Sequence, residues 1–270
     1  MRGTEEVQRI ELTSVDGVRL EAVVDRTAVT PALGSVLLVH GITVDLDEGG
    51  QMFVRLAQRL TSAGFNVLRF SFRGHGASGG TQEGVTIAGE CLDLQAAVNY
   101  AREQFPRQAL SIVAASFGAV STALSLPWLA AGLHRLVLWN PVLDLRHTFL
   151  EPQLAWGVEN FGPEQQNGLQ DKGFLLVDGD FRLGRVLFGE FARYSPRGEF
   201  LASVIPALIV HGDRDSAVSY EIAAETARTR QATTLHTVVG SDHGFDSRER
   251  EDEAIGTTVD WLAEQCAVIH

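Results

Sequence analysis

A single α/β domain, built on a mostly parallel twisted sheet with helices on both faces, is the fold class the sequence predicts. Three observations predict it. Short apolar runs alternate along most of the chain with segments of helical period. The runs are rich in Val, Leu and Ile, as strands covered on both faces should be. The length of 270 residues, with 45% apolar and 21% charged side chains, suits one large domain of ordinary globular composition, or one domain with an insertion.

In chain order, residues 7–12 and 18–24 read as a first hairpin, split by the turn formers Asp16 and Gly17. Apolar runs then follow at residues 36–39, 66–70, 110–114, 136–139, 207–210 and 235–239. Between most of them lie amphipathic segments. Phe53, Leu56, Ala57 and Leu60 share one helical face, and Ile87, Cys91, Leu94 and Val98 share another. Ile255, Val259 and Leu262 mark a closing helix. Repeated strand, helix, strand units imply right-handed crossovers and helices on both sheet faces.

The rhythm breaks between residues 143 and 200, which reads as an insertion into a core of residues 1–142 and 201–270. Turn formers Pro152, Gly157, Gly162 and Pro163 open it. Asp178-Gly179 between apolar runs is a strong hairpin signal, and residues 185–193 read as helical. A long segment placed beyond the carboxyl ends of sheet strands is positioned to cover a site, so a small cap is expected.

Composition narrows the partners. Lys plus Arg against Asp plus Glu leaves 22 − 34 = −12, which repels phosphate backbones and anionic lipid, so no nucleic-acid partner is expected. Residues 108–133 carry no formal charge, but Ser111, Ser116, Gly118, Ser121, Thr122, Ser125 and Pro127 interrupt them, so no membrane span is expected. Two cysteines, Cys91 and Cys266, make neither a disulfide scaffold nor a zinc site. The charged start of the chain has no apolar export stretch, and a reducing cytoplasm is the expected location. Asp45, Asp47 and Glu48 lack the remaining ligands of a calcium loop, and there is no phosphate-binding Gly-x-x-x-x-Gly-Lys, so neither metal nor cofactor is expected. Oligomeric state stays open, a homodimer included.

Chemistry in an open parallel sheet gathers where strands end and helices begin. The run 110–115 leads into Ser116, Phe117 and Gly118, a strand turning sharply into a helix. Such a turn needs small residues two before and two after its serine, here Ala114 and Gly118. At the end of the first parallel strand, Gly41 allows a sharp bend. The N–H of Ile42 there, with that of Phe117, could form an oxyanion hole for an ester carbonyl attacked by Ser116. His40 before it reads as a structural, hydrogen-bonded histidine.

The base should follow a late strand. His236 lies inside one and His270 is terminal, which leaves His243 in Gly240-Ser241-Asp242-His243-Gly244. The acid should follow the preceding strand, where Asp213 and Asp215 compete. Asp213 could bond turn amides, Asp215 can reach the His243 loop and is preferred, and Asp242 is a third candidate. Arg73 and His75, in a loop with Gly74 and Gly76, read as ties between loops.

Through His40-Gly41, Arg73-Gly74-His75-Gly76, the Ser116 turn, His211-Gly212-Asp213-Arg214-Asp215 and Asp242-His243, the chain resembles the α/β-hydrolase superfamily over roughly residues 18–262. His40-Gly41-Ile42-Thr43 and the short cap with its hairpin look most like the bacterial cinnamoyl or feruloyl esterases and related acyl esterases. The resemblance implies the α/β-hydrolase fold with a sheet of about eight strands, and Asp215 as the triad acid. Ala114-Ala115-Ser116-Phe117-Gly118 departs from the family's common Gly-His-Ser-Gln-Gly, which implies a different pocket beside Phe117. The serine also argues against the dehalogenases and epoxide hydrolases of this scaffold, which by resemblance place an aspartate there.

The expected function is a serine hydrolase of small-molecule carboxylic esters: Ser116 attacks, His243 moves the proton, Asp215 orients it, and Ile42 with Phe117 holds the oxyanion. A thioesterase, lysophospholipase or peptidase would use the same triad. Leu143, Phe149, Leu154, Trp156, Phe161, Phe174 and Phe188 suggest an apolar acyl group. The competing class is a catalytically silent binding protein on this fold. Its mark would be a missing triad member, and all three residue types are present.

Overall fold

The computed structural model describes residues 6–264; Cys266 and His270 lie outside the described residues. The chain runs β1 (Glu6–Thr13), β2 (Arg19–Arg26), β3 (Gly34–Val39), α1 (Met52–Ser62), β4 (Phe65–Phe70), α2 (Ile87–Gln104), β5 (Leu110–Ala115), α3 (Gly118–Leu129) and β6 (Leu133–Trp139). A long segment follows with α4 (Ala155–Phe161), α5 (Pro163–Lys172), β7 (Phe174–Val177), β8 (Phe181–Gly184), α6 (Arg185–Glu190) and α7 (Pro196–Ala202). The chain closes through β9 (Ala207–Gly212), α8 (Tyr220–Thr229), β10 (Thr233–Val238) and α9 (Arg248–Glu264).

Eight strands form one sheet in the order β1-β2-β4-β3-β5-β6-β9-β10. The hairpin partners β1 and β2 are antiparallel, β2 meets β4 antiparallel, and every later neighbour is parallel. Alternate side chains of the central strands divide into two cores, as the two-residue period of a strand requires. Leu37, Leu68, Ile112, Leu136 and Ile209 face α2, α3 and α8. Val36, Val67, Val113, Val137 and Leu208 face α1 and α9. The predicted helical faces are the buried ones: Phe53, Leu56, Ala57 and Leu60 of α1 are all fully buried, as are Ile87, Leu94 and Val98 of α2. Thr86 starts α2 by accepting the Gly89 N–H at 2.9 Å. Residues 108–133 become β5, a turn at Ser116 and α3, and among the described residues no helix is long and apolar enough to cross a membrane.

The segment between β6 and β9 carries the hairpin β7-β8, with Asp178 and Gly179 both at positive φ (53° and 76°). It is also more helical than its sequence suggests. Of the turn formers named there, Gly157 lies inside α4, Gly162 separates α4 from α5 and Pro163 is the first residue of α5, which ends at Gly173 with φ 84°. Leu143 and Phe200, near the two ends of the segment, are buried in the main core, whereas Phe149, Phe161, Phe181, Leu183 and Phe191 form a separate core over the carboxyl ends of the strands. Ile42, Phe117, Ala217 and Val218, from three different sheet loops, complete that third core.

Candidate active site

Ser116 sits between β5 and α3 with φ at +48°, a conformation that costs a non-glycine residue about 1–3 kcal/mol and lifts its side chain clear of the sheet. The turn is held from behind, because the Ser116 N–H donates to the Trp139 carbonyl (2.8 Å) and its carbonyl accepts from the Val142 N–H (3.1 Å). Gly118 starts α3 where the helix crosses the end of β3. A Cβ there would lie 2.4 Å from the His40 carbonyl oxygen and 2.7 Å from that of Val39. Both obstacles are backbone, so Gly118→Ala is expected to destabilise the protein by about 3 kcal/mol, the upper end of overpacking. A melting experiment should show a fall of about 6–12 °C; an unchanged midpoint would disprove the close approach.

The three predicted side chains, drawn from three separate strand ends, meet here. Ser116 Oγ lies 3.0 Å from His243 Nε2, and His243 Nδ1 lies 2.8 Å from Asp215 Oδ2. Asp215 is fixed on both oxygens. Its Oδ1 accepts the N–H groups of Ala217 (2.9 Å) and Val218 (2.8 Å), and its Oδ2 also faces His211 Nε2 at 3.1 Å. The competing acids have other partners. Asp213 accepts the Gly240 N–H at 2.5 Å. Asp242 accepts the N–H groups of Ser216 and His243, both at 2.7 Å, and so ties the acid loop to the base loop.

Electrostatics follow from this geometry. Burial alone would raise the Asp215 carboxyl, but the charge and hydrogen bonds of His243 and His211 outweigh it and hold the group well below the usual carboxylate range. Burial likewise opposes a charged His243, yet the Asp215 carboxylate beside it prevails and lifts the imidazole above its ordinary value. The ring keeps 29% of its side-chain surface exposed and lines the adjoining cavity, so it remains open to exchange with water.

Gly41 brings the end of β3 against the serine turn, where an added Cβ would stand 3.1 Å from Ser116 Cβ. The next residue, Ile42, is buried, as is Phe117. Among the described residues the N–H groups of Ile42 and Phe117 donate to no protein acceptor. His40 is structural, as the sequence suggests: fully buried, it donates from Nδ1 to the Gly41 carbonyl (2.7 Å) and accepts the Phe72 N–H at Nε2 (2.9 Å). Arg73 also ties loops together, reaching Asp93, Asp16 and Ser14.

Two residues escaped the sequence reading. Glu48, set aside there with a failed calcium loop, accepts the Gly41 N–H at 2.8 Å and the Gly49 N–H at 3.1 Å, and its own φ is +58°. It braces the loop that carries Ile42, and burial pushes its carboxyl up. His211 supports Asp215 at Oδ2, the same oxygen that faces His243. Only its place four residues before Asp215 hinted at this; for Glu48 no signal existed, because its partner is a backbone amide.

A cavity of about 200 Å³ opens onto Ser116 and His243 between Ile42, Val142, Phe149, Trp156, Ala217 and Val218. Of the apolar residues singled out in the sequence, Phe149 and Trp156 line it, and Phe161 packs edge-on behind Phe149. Leu143 belongs to the main core, and Phe174 faces an outer groove.

Residues 30–174 match the family model described as "Serine aminopeptidase, S33", a span that holds Ser116, Ile42 and Phe117 and ends before Asp215 and His243. No curated protein matches the sequence significantly. Among solved structures, Est1E from Butyrivibrio proteoclasticus with ferulic acid bound is similar at a TM-score of 0.80 and 22% identity, over 96% of this chain and 99% of that one. The Pyrococcus furiosus esterase Pf2001 gives 0.72 and 21% over 96% and 91%, and a putative hydrolase from Agrobacterium vitis 0.74 and 18% over 96% and 100%. At such identities the likeness is one of fold.

Proposed function

Because the chain belongs to the serine aminopeptidase S33 family of α/β hydrolases, we propose that it is a serine hydrolase that cleaves small carboxylic esters through an acyl-enzyme on Ser116. The reading rests on one observation, the hydrogen-bonded line from Ser116 Oγ through His243 to Asp215 beside two uncommitted backbone N–H groups. As Oγ bonds to the ester carbonyl carbon, His243 Nε2 takes its proton, and the carbonyl oxygen, now an anion, accepts from Ile42 and Phe117. The imidazolium returns that proton to the alcohol oxygen as the carbon–oxygen bond breaks. Water then attacks the acyl-enzyme, giving its proton to His243, and the acid leaves as Oγ regains a proton. Asp215 keeps the proton on Nδ1 throughout and stabilises the imidazolium without taking a proton.

The segment over the strand ends serves as a cap in this reading, with Phe149 and Trp156 against the acyl group. A fluorophosphonate probe should label the native chain at Ser116, and aryl and alkyl esters of short apolar acids should be hydrolysed faster than matched thioesters or anilides. Absence of labelling would favour a silent binding protein; faster thioester cleavage would make it a thioesterase.

A pH dependence follows from the raised imidazole. His243 works as a base only when neutral, so kcat/KM should fall as pH drops through its folded-state pKa. That midpoint is expected above the ordinary histidine value of about 6.5. A kcat/KM profile on a non-ionising ester with its acid limb centred below 6.5 would mean that burial, not Asp215, sets the base.

A further inference from the structure

A second cavity, about 340 Å³, adjoins the one at Ser116, and the two share Thr43, Val44 and Glu48 as a common wall. Their chemistry differs. The serine cavity is walled mostly by apolar side chains, whereas the second is framed by Asp45, Glu48, His75, Gln82 and Phe181. No Lys or Arg lines it. Neither carboxylate forms an ion pair among the described residues: Asp45 accepts the Asp47 N–H at 3.0 Å, and Glu48 accepts only the amides of Gly41 and Gly49. The neighbouring Asp47, by contrast, is paired with Arg69.

His75 is an independent observation pointing the same way. Only 4% of it is exposed, its Nδ1 lies 2.9 Å from the Arg73 carbonyl, and its Nε2 is buried with no partner. A carbonyl can only accept, so Nδ1 carries the proton and Nε2 is a bare acceptor in a neutral ring. A buried polar atom without a partner normally calls for a ligand or water. The ring also stacks on Phe181 (4.9 Å, 24°), which adds a second aromatic ring to the wall. Gln82 spends its Oε1 on the Arg182 N–H (3.0 Å), leaving its amide nitrogen as the uncommitted side-chain donor among these groups. The cavity therefore offers carboxylate oxygens with no cation beside them, an unsatisfied imidazole nitrogen within its wall and an aromatic ring, the complement of a protonated amine.

We propose that this cavity is the leaving-group subsite and that the alcohol half of the substrate carries a protonated amine. The inference rests on the esterase reading above. The apolar cavity is the one that contains Ser116 and Ile42, so it takes the acyl half; the alcohol half then extends past Glu48, the wall common to both spaces.

Three butyrate esters of similar shape test it: 3,3-dimethylbutyl (neutral), choline (cationic, no N–H) and 2-(dimethylamino)ethyl (cationic with one N–H at neutral pH, and one methyl smaller). The amine ester is expected to show a kcat/KM at least about tenfold above the neutral one, with choline between, and the gap should shrink at high salt because the cavity is open to solvent. Asp45→Asn should reduce the amine-to-neutral ratio several-fold. Should that variant not fold, the native chain still decides, through competitive inhibition by 2-(dimethylamino)ethanol at least about tenfold stronger than by 3,3-dimethylbutanol. Equal or neutral-favouring rates, equal inhibition, or a ratio untouched by Asp45→Asn overturns the subsite and leaves the esterase reading standing. No hydrolysis of any of the three overturns that reading and the subsite with it.

Discussion

Ser116→Ala is expected to lower kcat on esters about 10⁶-fold and to abolish fluorophosphonate labelling, while stability changes by no more than about 0.5 kcal/mol. In the proposed mechanism Oγ is the atom that forms the covalent bond, and the other members of the hydrogen-bonded line have nothing to activate without it. Alanine bears the same φ of +48° with the same Cβ, so the turn between β5 and α3 and its bonds to Trp139 and Val142 persist. Labelling of the variant at native levels would remove Ser116 from the chemistry. Loss of labelling together with a large fall in melting temperature would mean the turn itself had collapsed.

The second large effect is expected at the acid. Asp215→Asn should lower kcat about 10⁴-fold. An asparagine oxygen can still accept from the Ala217 and Val218 N–H groups, which turns its NH₂ toward His243 and His211. A donor facing His243 Nδ1 obliges the proton to sit on Nε2, where it can no longer accept from Ser116 Oγ. The electrostatic consequence is separable. With the carboxylate gone, burial is left to dominate at His243, so the residual activity should lose its acid limb to lower pH. A variant within tenfold of native activity would assign the orienting role elsewhere, Asp242 being the acid nearest in the chain.

Much of the fold was legible because its signals are local. A run such as Val36, Leu37, Leu38 and Val39 has no polar face and is short, so as a strand it must be covered on both sides, and all four side chains are buried. The α1 face repeats every three or four residues and is buried as that period requires. The segment between β6 and β9 was less legible because Gly and Pro carry two meanings. Pro163 and Gly173 bound a helix as readily as they form a loop, and only contacts with the core over the strand ends decide between them.

The sequence by itself determined the sheet with its two helical faces and the short set of residues at strand ends from which a nucleophile, a base and an acid could come, since strand and helix periods and turn chemistry are written within a few neighbouring positions. Only the tertiary structure decided that Asp215, rather than Asp213 or Asp242, faces His243, that Glu48 braces the Gly41 turn, and that Asp45 and His75 share a cavity wall next to the serine. Those facts depend on where loops from distant strands come to rest against one another, and a hydrogen bond across such a gap leaves no periodic trace in the chain.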